Sequence, residues 1–406
     1  MHCSTITLTS GQITVKQNNL AIKYDGTINR QATISGNADN YAGTGRRIFK
    51  HTGNGTLRLQ RLNITDGSYG VFTQQAIVNT IAGGCVTSSG IVDLEGSDIS
   101  MCFTRGNIGL GGTLRGGAVY AARGVIMNNS SVTGSGVVNY YSGGTYSGAA
   151  AEGGGVFANG YAQIRSSTIA GNEAFSDSNN SSGGGIAIVS STSAPSLIEQ
   201  STIANNKSVR GSGVLAANHA APMTVQNSTI SGNGLPVDFK YNHTPVTGSA
   251  IFSFGQLTIA NSTLATNIGL SASALYFATS NYSAGVVSSI LADNTVYGGY
   301  DIGSRSPITL GGKYNLISTH SATVSFAFPQ GQRSDDPQLL PLKDNGGPTL
   351  THALKPGSPA LGRGSNSTNL TYDQRGPNYM RVVNGLIDIG AYEEQVLDHI
   401  FVDGFE

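Results

Sequence analysis

The chain is short of charge. Lys, Arg, Asp and Glu together make up 11% of its 406 residues, less than half of the common share of about 25%. Lys+Arg and Asp+Glu both number 23, so the formal net charge is zero. Without a strong basic field the protein offers no binding face to nucleic acid or to an anionic membrane surface. We therefore expect no nucleic acid among its partners.

Long apolar runs and cysteine motifs are also missing. No apolar run approaches the roughly 18 residues that cross a bilayer, so no transmembrane segment is expected. The three cysteines, Cys3, Cys85 and Cys102, do not make a disulfide scaffold, and no Cys/His spacing indicates zinc. A Cys85–Cys102 bridge and two free thiols remain open alternatives, and the bridge would fit an exported protein.

The motifs of several enzyme classes are absent as well. The sequence has no Gx4GK[ST], no HExxH and no GxSxG. A Ca²⁺ site around Asp293 and Asp301 stays open, although no calcium-loop signature supports it. We expect no cofactor and no dedicated metal site.

Glycine, in contrast, is abundant. It accounts for 56 of the 406 residues, about twice its usual share. Each interior glycine costs a helix about 1 kcal/mol relative to alanine. With so few charges for ion pairs on helix surfaces, this composition predicts a β-rich and turn-rich protein.

Three short phrases repeat along the chain. A phrase of the type Ser-Thr-Ile-Ala-Gly-Asn recurs every 27 to 37 residues, a Gly-Gly phrase lies between its copies, and a third segment with period-2 alternation precedes each copy. Three strands per unit predict one rung of a right-handed parallel β-helix, so the fold class is all-β. The central apolar residues should form one interior column: Ile34, Ile64, Ile99, Val132, Ile169, Ile203, Ile230, Leu264 and Leu291.

A second column lies three residues further along each rung. It includes Asn37, Asn172, Asn206, Asn233, Asn267 and Asn294. We interpret it as a structural turn ladder, since asparagine tolerates the left-handed conformation and stacked amides can bond from rung to rung. The alternative is an asparagine track that binds a ligand.

The repeats predict the domain organisation. Residues 1–316 are expected to form a β-helix of about nine to eleven rungs, residues 317–395 a capping segment, and residues 396–406 a tail. In the capping segment, Asp344, His352, Arg375 and Asp388 lie among turn sequences, which favours a structural role over a catalytic one.

The proline-rich C-terminal part has a recognisable run of residues. It comprises Asp336-Pro337-Gln338-Leu339, the segment from Leu342 to Leu354 that contains Asn345-Gly346-Gly347-Pro348, Pro356-Gly357-Ser358-Pro359, Asp373-Gln374-Arg375-Gly376 and Asp388-Ile389-Gly390-Ala391-Tyr392-Glu393. This run resembles the choice-of-anchor Q module of bacterial surface and secreted β-helix proteins. The repeats before it are similar to those of the same proteins and, more loosely, to polymorphic outer-membrane protein repeats.

The resemblance implies export and a right-handed β-helix, and it does not imply an enzyme. It places the protein outside the cell or at the cell surface. It also implies that a signal peptide and a first rung precede the chain as given, and that the ending from Ile400 to Glu406 is similar to a sorting tag of exported proteins.

The longest insertions leave the rungs between the asparagine column and the glycine phrase, so they should emerge on one side. Their carboxylates are candidate catalytic groups for glycoside hydrolysis, which needs a pair about 5–10 Å apart: Glu152, Glu173, Asp177 and Asp238. Their tyrosines, which can stack on sugars, and their bases are candidate ligand-binding residues: Tyr140, Tyr141, Tyr146, Lys207, Arg210, Lys240, Tyr241 and His243. Solvated loop tips are the alternative interpretation.

We therefore expect a monomeric scaffold or adhesin that presents a loop side to polysaccharide or to a cell-envelope glycan. The alternative is a polysaccharide-degrading enzyme, a lyase or a glycoside hydrolase, that uses the same loop-lined groove.

Overall fold

The protein is an all-β parallel β-helix, as the repeats predict. The computed structural model describes residues 5–7, 12–24, 31–37, 46–72, 80–108, 112–139, 149–177, 180–189, 192–217, 221–234, 249–296 and 299–395. The ladders between its named strands are parallel. Three long sheets, A, B and C, run along the molecule with 12, 10 and 9 strands.

The strands of each sheet come from successive rungs. Sheet A consists of Thr5–Thr7, Ala32–Ser35, Leu62–Thr65, Asp98–Ser100, Ser131–Thr133, Thr168–Ala170, Thr202–Ala204, Thr229–Ser231, Thr263–Ala265, Ile290–Ala292, Asn315–Ile317 and Gln332–Arg333. Sheet B consists of Ile13–Val15, Phe49–His51, Val86–Ser88, Val119–Ala121, Val156–Asn159, Ile186–Val189, Val214–Ala217, Ile251–Ser253, Ala272–Phe277 and Tyr300–Ser304. Sheet C consists of Leu20–Lys23, Thr56–Gln60, Ile91–Glu95, Gly124–Asn128, Tyr161–Arg165, Ser196–Glu199, Met223–Gln226, Leu257–Ala260 and Ala284–Val287.

Each rung between Ile13 and Ala292 visits sheet B, then C, then A. The predicted interior column is confirmed, since Ile34 pairs with Ile64, Ile64 with Ile99, and the register continues to Leu264 and Leu291. All of these side chains are buried. The column runs through a single apolar core enclosed by the three sheets. Burying one such aliphatic side chain stabilises the fold by about 1.5–3 kcal/mol.

The asparagine column is a hydrogen-bonded ladder. The Asn172 side-chain Nδ2 donates to Asn206 Oδ1 at 3.0 Å, and the Asn206 Nδ2 donates to Asn233 Oδ1 at 2.9 Å. The same pattern continues through Asn267 to Asn294. These amides bond from rung to rung as expected, and the ladder is buried except at its Asn294 end, so it serves the fold.

The proposed reason for asparagine at these positions is wrong in one respect. A positive φ occurs at Asn37, but in the later rungs it belongs to the preceding residue, such as Gly171 (66°) or Asn205 (56°). The bend is therefore made one residue before the ladder, and the column selects asparagine for its amide.

A serine ladder, which the repeats did not predict, follows the bend between sheets C and A. Ser130 Oγ accepts from the backbone N–H of Ser97 and donates to the carbonyl of Asn128, two residues before it. Ser167, Ser201, Ser228, Ser262 and Ser289 repeat this arrangement. Each hydroxyl thus partners backbone groups that the bend would otherwise leave buried without hydrogen bonds.

The insertions stack into two further parallel sheets on one side of the helix. Sheet D consists of Ser68–Phe72, Phe103–Asn107, Gly136–Asn139 and Glu173–Ser176, and sheet E of Thr80–Ala82, Thr113–Arg115, Ala150–Glu152 and Ser181–Ser182. Between the two sheets lies a small second core that contains Leu114, Val137, Ala151 and Ala174. The insertions therefore form a layer with its own apolar interior, which we call the side layer.

Cys85 and Cys102 form a disulfide, which settles the alternative left open by the sequence. Their Cα atoms lie 5.5 Å apart, and both residues are fully buried. The bridge joins the glycine phrase to the asparagine column where one insertion leaves the helix.

The C-terminal segment packs along the outward face of sheet A. The strand ladder extends past residue 316 to Gln332–Arg333, and a 3-10 helix, Pro329–Gly331, precedes that last strand; the strands Ile268–Gly269, Thr295–Val296, Ile308–Leu310 and Val324–Phe326 form two small two-stranded sheets beside the last rungs. The buried side chain of Gln374 accepts a hydrogen bond from the Thr229 hydroxyl and donates one to the Thr202 hydroxyl, both in sheet A. These partners lie 145 and 172 residues earlier in the sequence. Residues 335–395 thus form a lateral cover. None of the helices in the described part of the chain has the length and hydropathy to cross a membrane.

Candidate functional site

The outward side of sheet E carries a short column of charges. Ala151 points into the second core, so alternation turns Glu152 and its neighbour Arg115 away from it. Arg115 Nε donates to Glu152 Oε2 at 2.9 Å, and Arg210 Nη2 donates to Asn180 Oδ1 at 2.6 Å. Burial lowers the pKa of Arg210, and the charge of Glu152 opposes that shift. The column therefore has two guanidinium groups and one carboxylate.

The outward face of sheet B carries a column of aromatic and aliphatic side chains. Its members pair in register from rung to rung: Tyr120, Phe157, Ala187, Leu215, Phe252 and Tyr276. Tyr120 stacks on Phe157 with ring centroids 5.6 Å apart, and Phe252 stacks on Tyr276 at 5.2 Å. Tyr120 and Tyr276 are half-buried, whereas Phe157 and Phe252 are buried.

These two columns meet at an angle. The Arg115 guanidinium lies 4.6 Å from the centre of the Phe157 ring. The chain turns sharply between sheets E and B at Gly116 and Gly153, whose φ values of 64° and 69° favour glycine. We call this concave corner the corner groove, with Tyr120 and Phe157 on its floor and Arg115, Glu152 and Arg210 on its wall.

Two of the predicted carboxylates lie on opposite sides of the side layer. Ala174 points into the second core, so alternation turns Glu173 out of sheet D, away from sheet E and from Glu152. Lys207 pairs with Glu173 on the next rung and is exposed on that same side. Glu152 and Glu173 therefore do not form the carboxylate pair that a glycoside hydrolase needs.

The structure places one further carboxylate among the predicted site residues. Asp177 follows the Glu173–Ser176 strand on sheet D and is half-buried. The others lie outside the described residues: Tyr140, Tyr141, Tyr146, Asp238, Lys240, Tyr241 and His243.

Of the two acidic residues considered for Ca²⁺, Asp301 is engaged by protein donors. Asp301 is buried, its Oδ1 accepts from Asn294 Nδ2 at 2.8 Å, and its Oδ2 accepts from the backbone N–H and hydroxyl of Thr319. Burial raises the pKa of Asp301. Asp293 is exposed, and the described residues contain no group of three His, Cys, Asp or Glu side chains that could hold a metal. Asp301 thus ends the asparagine ladder.

The charged residues of the C-terminal segment hold that segment together. The Arg375 guanidinium is bidentate to Asp373 and lies 3.9 Å from the ring centres of both Tyr379 and Tyr392. His352 bonds Ser231 of sheet A at 2.8 Å. Their contacts agree with the structural role expected from the turn sequences.

One carboxyl in this segment has a strongly shifted pKa. Burial raises the pKa of Glu393 to about 8, although Arg381 opposes the shift with its Nε 3.8 Å from Glu393 Oε2. Glu393 Oε2 also accepts from the backbone N–H of Asp388 at 2.9 Å. Glu393, Arg381 and Asp388 all belong to the C-terminal segment, so these contacts are internal to that segment.

The aromatic column is a feature that loop lengths did not reveal, yet its signal is present in the repeats. In Val119–Tyr120–Ala121 the first and third residues point into the core, so the residue between them must point outward. An aromatic residue recurs at that position in the glycine phrase of several rungs.

Comparisons with known proteins give a structural match and no sequence match. The chain matches the crystal structure of pectate lyase Pel9A with a TM-score of 0.43 and 14% identity, over 97% of this chain and 100% of that chain. No protein-family model and no curated protein matches the sequence.

Proposed function

We propose that the protein is an exported scaffold or adhesin that binds polysaccharide along the corner groove. The observation that carries the proposal is the stacked aromatic column beside a wall of guanidinium and carboxylate groups. Tyrosine faces pack against the apolar faces of sugar rings, while the wall can bond sugar hydroxyls.

The repeat of the fold suits a repeating ligand. Strands of neighbouring rungs are spaced by about 4.8 Å, so the same side-chain position returns at short and regular intervals along the groove. Tyr120 and Tyr276 lie at the two ends of the column and remain half-buried, which leaves their rings partly accessible to a chain that follows the helix axis.

Binding is favoured over catalysis by the placement of the carboxylates. Glu152 is occupied by Arg115, and Glu173 lies on the other side of the side layer. Polysaccharide cleavage remains the competing hypothesis, and glycoside hydrolysis would require a carboxylate pair other than Glu152 and Glu173.

The disulfide supports the proposed location. Disulfides persist in oxidising compartments and are rare in the cytosol, and the Cys85–Cys102 bridge is buried within the rungs. An extracellular or cell-surface location therefore agrees with a polysaccharide ligand.

Affinity electrophoresis in gels that contain neutral or acidic polysaccharides tests this proposal. The wild type should be retarded by at least one of them, and Tyr120→Ala should weaken binding about fivefold, because an aromatic contact contributes about 1 kcal/mol. Tyr314→Ala, an exposed tyrosine before a strand of sheet A, is the control. No retardation by any polysaccharide would overturn the proposal. Release of new reducing ends would show that the protein cleaves the polysaccharide, and the proposed binding function would then be replaced by an enzymatic one.

A further inference from the structure

The aromatic column of sheet B ends at an open cleft. Beyond Tyr276, the next residue in register is Gly303, which has no side chain. The cleft there has a volume of about 480 Å³, within the range of about 300–1,000 Å³ that is typical of small-molecule sites. We call it the end cleft, lined by Leu270, Ser271, Tyr276, Gly299, Tyr300, Gly303, Ser304, Ser321 and Thr323.

Glycine at position 303 keeps one face of Tyr276 accessible. The other face of that ring stacks on Phe252. A Cβ at Gly303 would lie 3.3 Å from Tyr276 Cδ2 and 3.2 Å from the Ser271 carbonyl oxygen. Any larger side chain would therefore project against the ring where it faces the cleft.

A second tyrosine borders the cleft. Tyr300 is 41% exposed, far more than an aromatic residue that serves only the core. Tyr276 and Tyr300 thus offer two aromatic surfaces to the same space, an arrangement suited to the apolar face of a sugar ring.

The polar side of the cleft is built from linked hydroxyls. Ser304 Oγ donates to the Ser306 carbonyl at 2.8 Å and lies 2.9 Å from Thr323 Oγ1, and Ser321 Oγ lies 2.6 Å from Thr323 Oγ1. A hydroxyl has one donor and two acceptor lone pairs. With their protons directed at protein acceptors, these oxygens keep acceptor capacity for the hydroxyl groups of a ligand.

The described lining of the cleft contains no charged side chain. A ligand carboxylate or phosphate would be desolvated there without a partner, which is costly. From the two ring faces, the hydroxyl array and the absence of charge in this lining, we infer that the end cleft binds a neutral sugar unit of the polysaccharide. This inference rests on the proposed function. It adds the position of one subsite and the charge of the sugar unit, which is neutral, that the subsite accepts.

A tryptophan reporter makes the test direct. The chain contains no tryptophan, so Tyr300→Trp places the only tryptophan of the protein at the cleft, where its emission can be followed separately from that of the tyrosines. Titration with neutral oligosaccharides, namely cello-, xylo- and manno-oligosaccharides, should change its emission in a saturable way for at least one of them. An oligogalacturonide of equal length, the acidic probe, should bind at least tenfold more weakly at this position.

Calorimetric titration of variants without the reporter provides the second arm. Tyr300→Ala and Gly303→Ser should each weaken binding of the neutral oligosaccharide about tenfold, whereas Tyr314→Ala, with the same 41% exposure, should leave it unchanged. Circular dichroism of each variant verifies that it is folded.

The outcomes separate the two proposals. If Tyr120→Ala weakens binding but the end-cleft variants match Tyr314→Ala, the end cleft is not a subsite and the proposed function stands. If the oligogalacturonide binds at the reporter as tightly as the neutral sugars, the assignment to a neutral unit is wrong. If no glycan binds the wild type, the proposed function fails and the inference fails with it.

Discussion

Replacing Asn233 by alanine should destabilise the protein by about 4 kcal/mol. Asn233 Oδ1 accepts from the backbone N–H of Asn206 at 3.1 Å and from its Nδ2 at 2.9 Å, and both residues are fully buried. The substitution leaves these two donors without an acceptor, and each stranded buried group costs about 1–3 kcal/mol. Asn267 Oδ1 also loses one of its two donors.

Urea unfolding followed by far-ultraviolet circular dichroism measures this loss. Asn159→Ala is the matched control, since Asn159 is exposed at the end of a strand of sheet B and its truncation should change stability by no more than about 0.5 kcal/mol. Hydrogen exchange should show the loss of protection centred on the rungs that contain Asn206 and Asn267. A loss below about 1 kcal/mol, or one equal to that of the control, would refute the structural role of the ladder.

Three further predictions concern the disulfide and the C-terminal segment. Cys102→Ser should lower the free energy of unfolding by about 3 kcal/mol, because the bridge closes a loop with a sequence separation of 17; an equal urea midpoint for wild type and variant in the absence of reductant would contradict this. Gln374→Ala should expose the segment to limited proteolysis while sheets B and C keep their hydrogen-exchange protection, since its side chain bonds Thr202 and Thr229; unchanged cleavage would show that these bonds do not hold the segment. Because the pKa of Glu393 is raised from 4.5 to about 8, its contribution to stability should be complete below about 4.5 and should be lost as the pH rises through about 8. Glu393→Gln should remove this pH dependence from the melting temperature, and parallel wild-type and variant curves would refute it.

Much of the fold follows from local sequence because a β-helix repeats one environment. Ile169, Ile203 and Ile230 lie in one column because each rung surrounds this position with the same neighbours. The same residue types are therefore suited to every rung, and the phrase recurs. The asparagine ladder follows for the same reason. The repeat phrase alone places the left-handed residue one position too late, because asparagine is also common at left-handed positions, as at Asn205.

The C-terminal segment could not be placed from sequence. Its contacts to sheet A, such as His352 to Ser231, span more than a hundred residues and leave no periodic pattern. Turn chemistry at Asp373 and Arg375 predicts that the segment is ordered, and does not say which surface it covers. The lateral position arises from the outward columns of sheet A, where Ile290 and Leu316 are apolar and pack against the segment.

The candidate site was predicted only in part. Loop positions correctly placed the described insertions, which form sheets D and E, on one side of the helix, because they leave successive rungs at the same point. They did not show that Glu152 and Glu173 point in opposite directions, since that depends on how strands in the side layer alternate about a second core. The outward aromatic residues of sheet B can be predicted from alternation alone, because Tyr120 lies between two inward-facing residues.

The most direct test of polysaccharide binding on sheet B is fluorine NMR of protein labelled with fluorotyrosine. Resonances assigned by single Tyr→Phe substitutions report each ring during titration with the polysaccharide that causes the strongest retardation. We predict that the resonances of Tyr120, Tyr276 and Tyr300 shift together and saturably while that of Tyr314 does not. Shifts confined to tyrosines away from this face, or equal small shifts at all rings, would contradict it.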